Sequence, residues 1–120
     1  IISEMQDQQV IILREVDGER KFPIIIGSAE AYAIDRRLKG IASPRPLTHD
    51  LLASVIEEMG GQVSRIEIND LESHTFFAKI HIRHKGQDIA VDSRPSDAIA
   101  LGIATNVPIF VADHVLEQLG

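Results

Sequence analysis

The sequence predicts a single α+β domain, in which a mixed but mainly antiparallel sheet packs against about four helices. Short segments with alternating apolar side chains are typical of antiparallel strands, and three of them follow one another between residues 62 and 93. Segments with apolar residues at helical spacing lie on both sides of these strands. Because 120 residues is a common size for one domain, we expect residues 1–120 to share one hydrophobic core.

Turn and cap signals along the chain predict the individual elements. Asp17-Gly18 is a two-residue turn signal that predicts a hairpin, and Lys85-Gly86 joins the last two strands of a three-strand meander. The helix after the meander is apolar nearly all round, which indicates a buried central helix. In chain order the predicted elements are strands at 10–16 and 21–26, helices at 28–39 and 48–59, strands at 62–69, 75–84 and 87–93, a helix at 96–105, a strand at 107–112 and a helix at 113–119.

Two of these elements are expected to bury one side only. In the strand at 75–84, Ala78 and Ile80 alternate with Lys79 and His81, so one face is predicted to join the core and the other to be largely wet. The helix at 48–59 is the clearest amphipathic helix of the chain. Its apolar residues at helical spacing are Leu51, Leu52, Val55, Ile56 and Met59.

The composition excludes several kinds of site. The absence of cysteine excludes disulfide bonds, thiolate metal sites and a cysteine nucleophile, so any bound metal needs oxygen or imidazole ligands. The net charge of −6 argues against long-lived capture of a polyanion, because lysine and arginine contacts to phosphate supply most non-specific affinity for nucleic acid. A chain of this composition would handle nucleic acid locally or transiently.

The apolar runs of the chain are too short for a membrane span, which needs about 20 apolar residues in a row. No basic and apolar leader precedes the first polar stretch. We therefore expect a cytoplasmic protein that does not enter a membrane.

Two segments place the same pattern of side chains at the start of a predicted helix. Residues 45–50 and 94–97 each carry an Arg-Pro pair followed by a hydroxyl residue and a carboxylate. A helix N-terminus presents free N–H groups and the positive end of its dipole, and a nearby arginine adds a fork that suits phosphate. The two helix starts could together bind one anion. The alternative is structural, with Thr48 and Ser96 as ordinary N-caps and the arginines paired with the carboxylates.

Three acidic residues occupy the first turns of predicted helices, namely Glu30, Asp50 and Asp97. Carboxylates that converge on a cleft could hold Mg²⁺ or Mn²⁺, since both cations prefer oxygen ligands. A complete capping box is not expected in the later two helices, because Leu51 and Ile99 occupy the position where glutamate or glutamine would complete it.

Of the histidines, His49 is the best candidate for chemistry. It stands between a hydroxyl residue and a carboxylate, where an imidazole could act as a general base or a metal ligand. The alternative is a solvated residue of the first helical turn. His81 and His84 are three residues apart on a strand and therefore point to opposite faces, which argues against a paired site. His74 and His114 are predicted at the surface.

Three blocks of the sequence resemble the bifunctional nuclease domain family. They are PIIIGSAEAYAI at 23–34, RPLTHDL at 45–51 and RPSDAIAL at 94–101, and with the segments at 70–71 and 75–78 the resemblance covers roughly residues 10–111. Glycine-rich phosphate loops, dinucleotide fingerprints, nucleophile elbows and zincin helices are absent from the sequence. The resemblance implies nuclease activity, since some family members have both DNase and RNase activity, with DNA or RNA as a transient substrate. Carried over by position, it puts forward as candidate site residues Glu30, Arg45, Thr48, His49, Asp50, Arg94, Ser96 and Asp97.

The chemistry of these residue types predicts a metal-assisted phosphodiesterase. Three carboxylates would coordinate Mg²⁺ or Mn²⁺, two arginines and two hydroxyl groups would hold the phosphate, and a histidine would relay the proton. The three carboxylates are Glu30, Asp50 and Asp97. The phosphate would be held by Arg45, Arg94, Thr48 and Ser96, and the histidine is His49. His49, Asp50 and Asp97 are the predicted catalytic residues.

Three alternatives stay open at this point. The first is metal-free hydrolysis with His49 as the base. The second is a non-catalytic regulatory module that binds an anion or a nucleotide at the paired helix starts. The third is a homo-oligomer, which the apolar helix after Arg94 and the free edges of a small sheet favour and which is compatible with either function.

Overall fold

The structure is a computed structural model that describes residues 8–41 and 45–119, without the side chains of residues 8, 9 and 27–30. These residues form six strands and four helices, in the predicted order. The elements are β1 (Gln8–Arg14), β2 (Lys21–Gly27), α1 (Ser28–Leu38), α2 (Thr48–Glu58), β3 (Gly61–Glu72), β4 (Thr75–His84), β5 (Gln87–Ser93), α3 (Pro95–Thr105), β6 (Ile109–Val111) and α4 (Asp113–Leu119). None of these helices is long and apolar enough to span a membrane.

The strands form two sheets, and the α+β prediction is confirmed. One sheet is the antiparallel hairpin β1-β2, and the other has the order β5-β4-β3-β6. The three-strand meander is antiparallel, whereas β6 pairs with β3 in parallel, which makes the larger sheet mixed. The two-residue turn predicted at Asp17-Gly18 is wrong, because the strands end at Arg14 and resume at Lys21. A longer loop joins them, closed by a hydrogen bond from the Glu15 N–H to the Arg20 carbonyl oxygen (2.9 Å).

Helix α3 lies at the centre of the core, as predicted. Ala98 and Leu101 are fully buried, and Ile99 is 1% exposed. At Gly102 the helix backbone approaches β3 so closely that a Cβ atom would lie 2.7 Å from Cγ1 of Ile66. The absence of a side chain at Gly102 therefore sets the distance between α3 and the four-stranded sheet.

Helix α2 does not bury its apolar stripe as predicted. Leu51, Val55 and Met59 are exposed, with 57%, 49% and 73% of their surface accessible, while Ile56 packs against the core. The helix contacts α3 and β3 through a narrow side, so the remaining apolar residues face outward. Periodicity identified the helix correctly but could not tell which neighbours would cover it.

The burial of His81 differs from the prediction as well: the side chain is buried, although its face of β4 was predicted to be largely wet. Nδ1 lies 3.0 Å from Asp88 Oδ2 on β5, and Nε2 lies 3.0 Å from Glu67 Oε1 on β3. Because a carboxylate only accepts, both contacts are hydrogen bonds only when both ring nitrogens carry a hydrogen. The imidazole thereby links three adjacent strands on the sheet face opposite the helices. His81 and His84 were predicted not to form a paired site, and the described partners of His81 are carboxylates.

The hydrogen bond from His81 holds the pKa of Asp88 below its ordinary value and outweighs the cost of desolvation, while the charges of His81, Arg65 and Arg83 add smaller contributions in the same direction. A depressed carboxyl pKa contributes stability that is present above the unfolded-state pKa and is lost as the pH falls through the folded-state pKa. We expect Asp88→Asn to remove part of the acid-induced loss of stability, measured as the urea midpoint between neutral and acidic pH. Asp92→Asn, on the same strand, is the matched control, and equal acid profiles in both variants would contradict the assignment.

Gly102→Ala is expected to destabilise the fold by about 1–3 kcal/mol, because the added methyl group overpacks the contact with the fully buried Ile66. The loss should appear although alanine is the better helix former by about 1 kcal/mol. Urea denaturation of Gly102→Ala, Ile66→Ala and the double variant measures the coupling. If the losses in free energy of unfolding of the two single variants add up to that of the double variant, the two residues are not in contact.

Candidate phosphate-binding pocket

A pocket of about 410 Å³ lies among α1, α2, α3 and the segment that leads into α2. We call it the arginine pocket, because three of its lining residues are arginines. Its lining consists of Ala33, Arg36, Arg37, Ile41, Arg45, Pro46, Leu47, His49, Asp50, Ser54, Ala100 and Ala104. The volume falls in the range of small-molecule and cofactor sites. The pocket brings together three of the predicted site residues: Arg45, His49 and Asp50.

Arg36 and Arg37 lie in the last turn of α1, which packs against α3. Arg37 Nη2 donates a hydrogen bond to the carbonyl oxygen of Ala104, 2.9 Å away near the end of α3. The guanidinium carbon of Arg36 lies 5.1 Å from the centre of the Tyr32 ring, a cation–π contact. Nε of Arg36 is buried and has no hydrogen-bond partner among the described residues. A buried donor without a partner costs folding free energy.

His49 is the second side chain with an open hydrogen-bonding position. It is 9% exposed, and its Nδ1 is buried without a hydrogen-bond partner among the described residues. The residue is the second of α2, so its ring stands at the positive end of the helix dipole. The prediction of a solvated first-turn histidine is therefore wrong. With the ring hydrogen on Nε2, Nδ1 carries a lone pair that can accept a proton.

Asp50 holds the start of α2 in place. The N-cap is Leu47, and Asp50 Oδ2 accepts the N–H of Leu47 at 3.0 Å. Thr48, predicted as the cap, is instead the first helical residue. The reciprocal half of a capping box is thus supplied by Asp50, one position earlier than predicted, because the helix begins one residue earlier. Asp50 also lines the arginine pocket.

The other predicted segment lies elsewhere. Arg94 is the N-cap of α3, and its Nε and Nη2 donate to the two carboxylate oxygens of Asp97 at 2.8 and 3.1 Å. Arg94 and Ser96 line a separate cavity of about 550 Å³ beside β2 and the β3–β4 turn. Ser96, predicted as a cap, is buried inside the first turn. For this segment the structural alternative, an arginine paired with the carboxylate of its own segment, describes the observed geometry.

Two of the three predicted metal ligands have side chains that the structure describes. The side chain of Glu30 lies outside the described residues, Asp50 lines the arginine pocket, and Asp97 is paired with Arg94. Among the side chains that the structure describes, which exclude that of Glu30, no group of three histidine, aspartate or glutamate residues could hold a metal ion.

Arg36, Arg37 and Ser54 belong to the pocket but were not predicted. The arginines lie in the last turn of α1, one turn after Ala33, and Ser54 lies one turn after Asp50. Helical spacing from the predicted Asp50 would have placed Ser54 on the same side of α2, whereas no predicted site residue gives such a signal for the two arginines. The pocket lining contains three arginines and one aspartate, so it is locally positive although the whole chain has a net charge of −6.

Comparison with known proteins agrees with the resemblance in the three sequence blocks. The model of the bifunctional nuclease domain matches residues 11–120. An uncharacterized protein of Mycobacterium tuberculosis is 40% identical over 119 residues, which cover 99% of this chain and 71% of the relative. Bifunctional nuclease 2 of Oryza sativa subsp. japonica is 30% identical and that of Arabidopsis thaliana 25% identical, each over 92% of this chain and 35% of the relative. The chain therefore belongs to the bifunctional nuclease domain family.

Proposed function

We propose that this protein cleaves phosphodiester bonds of nucleic acid in the arginine pocket. The observation that carries the proposal is a buried histidine whose Nδ1 has no hydrogen-bond partner among the described residues, in a pocket lined by three arginines. The plant relatives named bifunctional nucleases support this class of substrate. A net charge of −6 fits a transient encounter, in which the local positive pocket captures one phosphate while the rest of the surface repels the polymer.

The arginines would bind the phosphate and stabilise the charge that develops on its oxygens. Arg36 and Arg45 offer planar forks that suit two phosphate oxygens, while Arg37 is anchored to α3 and keeps its charge close by. Such charges are more effective in a partly enclosed pocket than in water, because the surroundings screen them less.

His49 would accept the proton of the attacking water. The oxygen of the water forms a bond to phosphorus and the bond to the leaving oxygen breaks. The proton of the water moves to the imidazole, and the leaving oxygen takes up a proton from solvent. Asp50, fixed by the N–H of Leu47, would orient the water or the imidazole from the same helical turn.

We also propose that Mg²⁺ or Mn²⁺ assists the cleavage, and this part of the proposal can be tested separately. Asp50 is the pocket carboxylate that could contribute an oxygen ligand, and Glu30 and Asp97 are the other predicted ligands. A bound cation would polarise a phosphoryl oxygen, while the roles of the arginines and His49 would be unchanged. The rival function, a regulatory module that binds an anion or nucleotide without turnover, uses the same arginines and differs only in the absence of cleavage.

His49→Gln is expected to lower kcat on single-stranded DNA and RNA by about 10²–10⁴-fold with little change in KM, because the variant retains bulk and polarity but accepts no proton. Steady-state cleavage of a fluorescent oligonucleotide measures both constants. His114→Gln, on the surface of α4, is the matched control and should match the unaltered protein.

Cleavage that is equal in both histidine variants would remove His49 from the mechanism. The same assay with Mg²⁺, with Mn²⁺ and with a chelator decides the metal question, and Asp97→Asn shows whether the second segment takes part. If the purified protein binds oligonucleotide but cleaves nothing under all three conditions, the regulatory module is the correct function.

Arg36→Lys is expected to raise KM about tenfold, since lysine keeps the charge but loses the planar fork and the unpaired Nε. Arg36→Gln should raise KM further and weaken the salt dependence of binding. Fluorescence anisotropy with a non-cleavable phosphorothioate oligonucleotide measures affinity apart from turnover. Arg83→Gln, on the opposite face of the sheet, is the control, and a similar loss of affinity there would mean that binding is not specific to the pocket.

A further inference from the structure

The described part of the chain contains four strands at sheet edges, and three of them carry features that discourage pairing with another chain. β6 is only three residues long, β5 carries Asp88 and Asp92, and β2 contains Pro23, which has no N–H to donate. β1 differs, because the first six of its seven residues, QQVIIL, are uncharged and contain no proline. An apolar edge of this length is a template for another strand.

The outer edge of β1 presents backbone groups that have no partner in the described part of the chain. The Glu15 N–H donates to the Arg20 carbonyl oxygen, which marks that pair as hydrogen bonded, and such pairs alternate along an antiparallel ladder. Ile12 and Val10 therefore point their N–H and C=O groups away from β2. Pro23, opposite Ile12, occupies a position of the same kind, where its missing N–H removes nothing from the ladder.

Apolar side chains surround this edge. A cleft of about 430 Å³ separates β1 from α1, lined in part by Val10, Ile11, Tyr32 and Leu38. Val10 is 59% exposed, Tyr32 54% and Leu38 71%. A strand added to β1 would satisfy the outward backbone groups and cover these side chains at the same time.

We propose that the added strand is β1 of a second copy of this chain, paired in antiparallel orientation about a two-fold axis at Ile11. In this register Val10 of each copy faces Ile12 of the other, and Gln8 faces Arg14, so no like charges oppose each other. The alternative dimer through β5, centred on Ala90, would place Asp88 opposite Asp92 and is disfavoured by their repulsion. The interface does not depend on the chemistry of the arginine pocket.

Ile12→Pro is expected to halve the mass in solution, from twice 13.2 kDa to 13.2 kDa, because proline removes an outward N–H without breaking the ladder to β2. Multi-angle light scattering of the purified protein at micromolar concentrations measures the mass. Ile25→Pro is the matched control, since Ile25 pairs with Val10, is 65% exposed and points its backbone outward at the edge of β2. This control should remain a dimer.

A single-cysteine variant tests the register and does not depend on how well the proline variant folds. The chain has no cysteine, so Ile11→Cys introduces one thiol per copy. On the two-fold axis the two Cα atoms would lie about 4.5 Å apart in a pair without hydrogen bonds, within disulfide range. Leu13→Cys is the control, since the two substituted positions would lie about 13 Å apart at the rise of a strand.

Rapid oxidation of the Ile11→Cys variant to a covalent dimer, with slow oxidation of the Leu13→Cys variant, supports the proposal. A monomeric mass for the unaltered protein, or a dimer that persists in Ile12→Pro while Ile11→Cys fails to cross-link, overturns it. In the second case the copies associate through another surface.

Discussion

The close packing of α3 against the four-stranded sheet is the constraint on which the rest of the structure depends. Gly102 lets the helix backbone approach Ile66 of β3, and the apolar residues 98–101 in the middle of α3 fill the centre of the core. With the helix at this depth, Ala100 and Ala104 form one wall of the arginine pocket, and the carbonyl oxygen of Ala104 anchors Arg37. The small side chains on this wall leave the space that the pocket occupies. The close contact between Gly102 and Ile66 thus determines both the shape of the pocket and the position of Arg37.

The order and type of the elements could be predicted because their signals are local. Strand alternation, the turn at Lys85-Gly86 and the apolar character of the helix at 96–105 each depend on residues a few positions apart. Predictions of burial failed where the covering group comes from another part of the chain. Val55 is exposed because no described element covers that side of α2, and His81 is buried because Glu67 and Asp88 on neighbouring strands enclose it. Periodicity describes one element and contains no information about its neighbours.

In the candidate site, too, the residues of one local segment could be predicted, whereas those brought in by tertiary packing could not. Arg45, His49 and Asp50 were predicted together and meet in one pocket, since a single short segment carries them into the first turn of α2. The segment at 94–97 resembles this segment but lies at another cavity, because similar local patterns begin helices in different parts of the fold. Arg36 and Arg37 reach the pocket only through the packing of α1 against α3, a tertiary relation with no counterpart in the spacing of the predicted residues.

Two buried histidines show how the fold separates structural from functional groups. Both ring nitrogens of His81 meet carboxylates at 3.0 Å, so the sheet satisfies the imidazole and uses it to join three strands. His49 is equally buried, yet its Nδ1 has no partner among the described residues, and Nε of Arg36 in the same pocket has none either. Each unsatisfied group costs about 1–3 kcal/mol of folding free energy, which a bound anion and its water can return. The sheet thus gives His81 a partner at each ring nitrogen, whereas His49 lacks a partner at Nδ1 among the described residues. The unpaired groups belong to residues that line the arginine pocket, where the proposed phosphate would bind.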